Sequence, residues 1–137
     1  MPKVASILRQ PFRAPRELQK ALSEIAREKA VRTDAVLFKQ GDPVKGVFLI
    51  SSGKVALSLA NGRAKKVFGI AEAGSLLGLP ATVRNTPYSL TAKVVEDSKI
   101  AFISRTKVKR LLLSDSKLCL EAVQVLSSEV RSVRLQH

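Results

Sequence analysis

Histidine and cysteine are nearly absent from the chain, with His137 and Cys119 as the single examples among 137 residues. One cysteine excludes a disulfide framework within the chain, a cysteine-based zinc site and an iron–sulfur cluster. A lone histidine at the last position argues against a paired-histidine haem site and a histidine-based catalytic triad. Neither a Gly-x-Ser-x-Gly nor a Gly-x-x-x-x-Gly-Lys sequence is present, so we predict that the protein is not an enzyme and holds no metal.

Aromatic residues make up only 4% of the chain, and tryptophan is absent. Few rings are therefore available to stack on the bases of a single-stranded nucleic acid. No apolar run reaches the length of a membrane span, and Pro11 and Arg13 interrupt the stretch where a signal peptide would have its apolar core. We therefore expect a cytoplasmic protein without a membrane partner.

Acidic residues are scarce, with 11 Asp and Glu against 24 Lys and Arg, which gives a formal net charge of +13. Such an excess attracts polyanions. The basic residues are spread along the chain rather than collected in one tract. Two interpretations stay open: a generally basic surface that favours solubility, and a surface that binds nucleic acid or an acidic partner.

Short strands separated by glycine turns fill the middle of the chain. Val55, Leu57 and Leu59 alternate with smaller side chains, as in a strand with one buried face. Asn61-Gly62 supplies the backbone conformation of a tight hairpin. Strands are predicted over residues 36–38, 47–50, 55–60, 65–70, 89–94 and 100–103. The pattern predicts a mainly β sandwich or jelly-roll barrel with flanking helices.

Helical patterns flank these strands. Residues 1–15 read as a flexible lead-in, and Arg16–Lys29 as an amphipathic helix with Leu18, Leu22 and Ile25 at helical spacing. A short helix is predicted over Thr106–Leu113 after the last strand.

The longest helical pattern is Ser116–Gln136. Apolar side chains recur along it at alternating spacings of four and three residues, as in a coiled-coil seam: Cys119, Val123, Leu126, Val130 and Val133. A second stripe runs beside it: Leu118, Ala122 and Val125. We expect one stripe to pack on the barrel and the other to meet the same helix of a second copy. The alternative is one wide stripe that packs only within the monomer.

Gly74–Lys93 carries the pattern around which the chain is organised. Gly74 and Gly78 lie four residues apart, and Pro80 follows closely. Proline is favoured at the first position of a helix, so a short helix is predicted over Pro80–Arg84. The free N–H groups at a helix start, together with the positive end of its dipole, form an anion site.

This stretch resembles the phosphate-binding cassette of the cyclic nucleotide-binding domain, the sensor module of Crp/Fnr transcriptional regulators and of cyclic-nucleotide-dependent kinases. Four cassette positions match: Gly78, Ala81, Pro87 and Ser89. Turns and strands upstream match as well: Gly41-Asp42, Val47–Ile50, Gly53, Val55 and Asn61-Gly62. The resemblance covers roughly residues 31–113. It implies a double-stranded β-helix (jelly-roll) barrel at about residues 31–105, within a sensor domain of residues 16–137.

The resemblance also implies partners. In Crp/Fnr-like proteins the long helix after the barrel is the dimer seam, so we expect a homodimer through residues 116–136. DNA would be bound only through a helix-turn-helix domain, which the 137 residues do not contain. The small-molecule ligand is not identified by the sequence.

Two departures from the family pattern bear on the ligand. The glutamate that holds the ribose hydroxyl is Leu79 here, and the arginine that neutralises the cyclic phosphate is Tyr88. Leucine accepts no hydrogen bond, and tyrosine carries no positive charge. An unpaired buried charge costs about 3–5 kcal/mol, roughly a hundred- to several-thousand-fold in affinity. Arg84, one turn earlier, either substitutes for the missing arginine or is a solvated side chain.

Three functions remain open at the sequence level. The first is the effector domain of a Crp/Fnr-like regulator in which cyclic-nucleotide binding is lost or altered. The second is a basic structural module that dimerises and binds a polyanion or an acidic partner. The third is an ordinary cAMP or cGMP sensor with substitute residues, which Leu79 and Tyr88 disfavour. The candidate ligand site comprises Leu77, Gly78, Leu79, Ala81, Thr82, Arg84, Tyr88 and Ser89.

Overall fold

The computed structural model describes the backbone of residues 12–136, and the side chains of these residues except for 61, 68 and 128–136. Four helices and six strands follow one another along this part of the chain. They are α1 (Arg16–Ile25), β1 (Arg27–Val31), β2 (Val36–Phe38), β3 (Gly46–Asn61), β4 (Ala64–Ala71), β5 (Leu76–Leu77), α2 (Leu79–Arg84), β6 (Thr91–Ser104), α3 (Arg105–Ser114) and α4 (Ser116–Gln136).

The six strands form one antiparallel sheet in the order β1-β6-β3-β4, with β2 paired to β6 and β5 paired to β3. The long strands β3 and β6 lie side by side, from Gly46 opposite Ser104 to Ser58 opposite Thr91. The predicted fold class, mainly β with flanking helices, is confirmed. No helix among residues 12–136 is long and apolar enough to cross a membrane.

Two pairs of predicted strands are single strands in the structure. The predicted break at Ser52-Gly53 lies inside β3, where the register with β6 shifts between Ile50 and Val55. Gly53 has φ 97°, and a side chain there would collide with the Ser98 hydroxyl. The glycine therefore marks a bulge inside a continuous strand.

The predicted N-terminal helix extends too far. Helix α1 ends at Ile25, Ala26 is extended, and Arg27–Val31 pairs with β6 as strand β1. Pairing gives the open edge of β6 partners for its backbone N–H and C=O groups. That requirement overrides the helical propensity of these polar residues. Residues 1–11 of the predicted lead-in (residues 1–15) lie outside the described residues. Its last part packs on the barrel: Phe12 is buried, and the Ala14 N–H donates to the Gly74 carbonyl at 2.9 Å.

Two apolar clusters form the core, and strands β3 and β6 contribute side chains to both. The helix-side cluster joins α1, α3 and α4 to the sheet and includes Leu18, Leu22, Val47, Leu49, Leu79, Ile103, Val108, Leu118, Ala122 and Val125. The barrel cluster lies inside the roll of the sheet and includes Phe38, Val55, Leu57, Leu77, Ala81, Tyr88, Ala92, Val94 and Ile100. The cassette helix α2 contributes to both clusters, which fixes its position.

The long helix α4 begins where predicted. The Asp115 carboxylate accepts hydrogen bonds from the N–H groups of Lys117 and Leu118 at 3.0 and 3.2 Å, which caps the helix. The stripe of Leu118, Ala122 and Val125 is buried in the helix-side cluster, where α4 packs on the other three helices. Along the predicted seam, Cys119 and Val123 are exposed and Leu126 is half-buried. The side chains of Val130 and Val133 lie outside the described residues.

Candidate ligand-binding site

The cassette helix α2 begins one residue earlier than predicted, at Leu79, with Pro80 in its first turn. Gly78 precedes it in the left-handed conformation, with φ 85°. A Cβ at Gly78 would lie 2.9 Å from the Tyr88 ring and 3.3 Å from the Gly46 carbonyl oxygen. Glycine is therefore required here twice, for its backbone conformation and for the close approach of Tyr88.

Tyr88 is an interior side chain, only 4% exposed. Its ring stacks on Phe38, with 4.1 Å between the ring centroids and 20° between the planes. Its hydroxyl donates to the Gly46 carbonyl at 2.7 Å and accepts from the N–H groups of Lys45 and Gly46 at 3.1 and 3.2 Å. One donor and two acceptor positions are all that a phenol has, so the polar end of Tyr88 is fully occupied by the start of strand β3.

The backbone of Tyr88 is also held. Its N–H donates to the Asp42 carbonyl at 3.0 Å, and its carbonyl accepts from the Gly41 N–H at 2.8 Å. The Gly41-Asp42 turn thus binds the loop that follows α2. Tyr88 is fixed at both its backbone and its ring, and its hydroxyl proton is already donated within the protein.

Other side chains of the cassette are buried in the core. Leu79 is 1% exposed and belongs to the helix-side cluster, whereas Leu77 and Ala81 belong to the barrel cluster. Thr82 is fully buried, and its hydroxyl donates to the Gly78 carbonyl at 2.8 Å. Its carbonyl accepts from Arg105 Nε at 3.0 Å.

Residues 28–115 match the family model of the cyclic nucleotide-binding domain. The chain belongs to the cyclic nucleotide-binding domain family. The predicted likeness to the Crp/Fnr type is confirmed by its relatives. The anaerobic regulatory protein of Bacillus subtilis (strain 168) is 23% identical over 120 residues, which cover 86% of this chain and 50% of that protein. The chain therefore spans about half the length of the curated relative it matches.

Two solved structures share this fold of the cyclic nucleotide-binding domain. The catabolite activator protein of Thermus thermophilus superposes with a TM-score of 0.78 at 20% identity, over 89% of this chain and 58% of that one. The N-terminal domain of a transcriptional regulator from Streptomyces coelicolor A3(2) superposes with a TM-score of 0.68 at 16% identity, over 93% of both chains.

The remaining candidates of this cyclic nucleotide-binding domain lie at its surface. Arg84, in the last turn of α2, and Ser89, in the following loop, are both exposed. Five of the eight candidates are thus buried, Gly78 is half-buried, and these two are in contact with solvent. Arg84 is not buried beside Tyr88, and the cation that reaches into the cassette is Arg105.

Sequence reasoning missed three residues that shape the site: Phe38, Gly46 and Arg105. Phe38 and Gly46 contact Tyr88, and Arg105 holds the end of α2. Gly46 lies 42 residues from Tyr88 in the chain and Phe38 lies farther still, so periodicity cannot detect the contacts. Of these three residues, only Gly46 stands out in the sequence, as a glycine directly before a predicted apolar strand. In the structure, a Cβ at Gly46 would collide with the backbone of Ile103.

Proposed function

We propose that the chain is the ligand-sensing effector domain of a Crp/Fnr-like transcriptional regulator in which cyclic-nucleotide binding is lost or strongly weakened. The observation that carries the proposal is the state of Tyr88. At the position where the family pattern has the phosphate-neutralising arginine, the chain has a buried, uncharged ring whose hydroxyl is fully hydrogen-bonded. A regulatory rather than enzymatic role agrees with the relatives named above.

A cyclic nucleotide could bind in this cassette either by displacing Tyr88 or by lying next to it, and each way costs free energy. Displacing Tyr88 breaks three hydrogen bonds of about 0.5–1.5 kcal/mol each and a ring contact of about 0.5–1.5 kcal/mol. A phosphate bound next to an undisplaced Tyr88 would lack its counter-charge, at about 3–5 kcal/mol. Leu79 adds no hydrogen-bond acceptor for a ribose hydroxyl. Because both ways of binding a cyclic nucleotide are unfavourable, we infer that the cassette is empty or binds a ligand that is less charged than cAMP.

Calorimetric titration of the purified chain with cAMP and with cGMP, at moderate salt, tests the proposal. We expect no heat of binding at micromolar protein. Micromolar or tighter binding would contradict the proposal and favour an ordinary cyclic-nucleotide sensor. In that case Arg84→Ala tells whether the exposed arginine replaces the missing one, because only the loss of a substitute phosphate ligand would reduce the affinity.

The proposed regulator acts as a homodimer in the cytoplasm. The exposed seam of α4 supports the dimer: Cys119 and Val123 are exposed and lie beside the stripe that is buried in the helix-side cluster. Val123 keeps 49% of its surface exposed, and a partner helix would cover it. DNA recognition would belong to a helix-turn-helix domain outside these 137 residues.

A further inference from the structure

A second concave surface lies where the start of α1 meets α4 and strand β3. Two adjoining clefts of about 670 and 450 Å³ share Arg13, Arg16 and Gln19. Gln124 and Val125 of α4 line the larger one. We refer to both together as the α1 cleft. Each of the two volumes is in the range of small-molecule sites, and none of the eight cassette candidates lines either cleft.

The lining of the α1 cleft is cationic. Arg13 and Arg16 line both parts and Lys20 lines the smaller part, and among the residues whose side chains the structure describes no Asp or Glu lines either. The Ser51 hydroxyl, which lines the smaller part, donates to Glu28 Oε2 at 2.9 Å, and Arg16 and Lys20 add two positive charges to this part.

Two carboxylates, Glu17 of α1 and Glu121 of α4, join these two helices. Glu17 Oε2 lies 2.7 Å from Lys117 Nζ, an ion pair between α1 and α4. Glu121 Oε1 accepts a hydrogen bond of 3.1 Å from the Leu18 N–H in the first turn of α1. These contacts fasten α4 to α1 and leave the cationic face of α1 to the cleft.

The face of α1 toward the cleft follows helical spacing. Arg16, Gln19, Lys20 and Ser23 stand at positions i, i+3, i+4 and i+7, and all line the smaller part of the cleft. Two like charges at i and i+4 destabilise a helix slightly. The arrangement of Arg16 and Lys20 therefore does not serve the helix, and a bound anion would relieve their repulsion.

The walls of the cleft are held by hydrogen bonds. The Ala14 N–H donates to the Gly74 carbonyl at 2.9 Å, which fixes the chain beside Arg13 to the loop before β5. Gln19 Nε2 donates to the Ala14 carbonyl at 2.6 Å. A Cβ at Gly74 would lie 3.0 Å from the Gln19 amide nitrogen, so the glycine leaves room for that side chain.

We propose that the α1 cleft binds a small molecule that carries a phosphate or diphosphate group, separately from the cassette. Arginine guanidinium groups bind phosphate oxygens in a bidentate manner, and lysine adds a point charge. An occupant would contact α1 and, through Gln124 and Val125, the helix of the proposed dimer seam. The proposal does not depend on the fate of cyclic nucleotides at Tyr88.

Titration calorimetry of the 137-residue chain with inorganic pyrophosphate and with ADP, at about 0.15 M salt, tests this site. We expect saturable binding of one ligand per chain. Charge-assisted hydrogen bonds contribute about 1.5–3 kcal/mol each, so Arg16→Gln and Lys20→Gln should each weaken binding about tenfold or more. The double variant Arg63→Gln/Lys65→Gln, at the exposed β3–β4 hairpin, removes two charges elsewhere and should leave the affinity within about twofold of the wild type.

Three outcomes would overturn the proposal. The first is a flat titration with both ligands. The second is an equal loss of affinity in the hairpin variant, which would indicate general attraction by net charge. The third is tighter binding of a random-sequence DNA duplex with the same loss in both groups of variants, the behaviour of a polyanion-binding surface. Unchanged circular dichroism of each variant shows that the loss is not unfolding.

Discussion

Gly78 and Tyr88 form a matched pair at the residue scale. Gly78→Ala places a Cβ at φ 85° and 2.9 Å from the Tyr88 ring, so we expect the free energy of unfolding in urea to fall by about 1–3 kcal/mol. Gly41→Ala is the control, because Gly41 has φ 91° and a Cβ there would meet nothing within 4 Å. Equal losses in the two variants would mean that backbone conformation alone, and not the contact with Tyr88, requires Gly78.

The hydroxyl of Tyr88 has a separate role from its ring. Tyr88→Phe keeps the stacking on Phe38 but leaves the Gly46 carbonyl and two N–H groups without their partner. We expect a loss of about 1–3 kcal/mol in the free energy of unfolding, measured in urea, since buried polar groups lose their hydrogen bonds. A loss below about 0.5 kcal/mol would show that water replaces the hydroxyl.

Tyr88→Arg restores the charge that the family pattern has at this position. If Tyr88 is the reason for lost cyclic-nucleotide binding, the folded variant should bind cAMP in a titration where the wild type and Tyr88→Phe give no heat. Leu79 remains, so the affinity should stay below that of a complete cassette. A folded Tyr88→Arg chain that gives a flat titration would contradict the role assigned to Tyr88.

At the scale of elements, the sequence predicted what repeats locally and missed what depends on distant pairing. The alternation around Val55 and the start of α4 at Ser116 were predicted because their causes lie within a few residues. The first three residues of strand β1 were predicted as helix because its partner, residues 98–102 of β6, lies about seventy residues away. At the site, the sequence shows an uncharged tyrosine at position 88, but it does not show that the tyrosine ring is buried against Phe38.

The turn between β1 and β2 is tied to β6 by a carboxylate. Asp97 Oδ1 accepts hydrogen bonds from the Thr33 N–H at 2.8 Å and from the Thr33 hydroxyl at 2.9 Å. These bonds favour the ionised form and lower the pKa of Asp97 in the folded state. A lowered pKa stabilises the fold above the unfolded-state pKa, and the effect is lost as the pH falls through the folded-state pKa.

Asp97→Asn should therefore remove one contribution to acid sensitivity. We expect the difference in unfolding free energy between wild type and Asp97→Asn to shrink as the pH falls from about 5 to about 2. Urea unfolding at several pH values measures it. Glu72→Gln, which removes another exposed carboxylate, serves as the control. A difference that does not change with pH would show that Thr33 does not stabilise the ionised form.

The whole molecule carries a large positive charge with little internal compensation. Three ion pairs of the described residues are Lys54–Glu96, Lys93–Asp34 and Lys117–Glu17, and all six side chains are about half exposed or more. Exposed pairs contribute about 0–1 kcal/mol each, so the fold depends on its two apolar clusters rather than on charge pairing. An excess of basic side chains favours the approach of anions, and Arg13, Arg16 and Lys20 of the proposed α1 cleft belong to this excess.

The proposed dimer is the property of the whole molecule that is easiest to test. Val123 is 49% exposed on the seam of α4, next to the buried stripe of Ala122 and Val125. Covering it with a partner helix removes apolar surface from water, whereas a glutamate there would place a charge in the interface. We expect sedimentation to show a dimer for the wild type and at least about a tenfold weaker association for Val123→Glu.

Val95→Glu is the control, because Val95 is 41% exposed on β6, away from the seam. A wild type that remains monomeric at tens of micromolar, or equal weakening by both variants, would exclude α4 as the dimer seam of this chain.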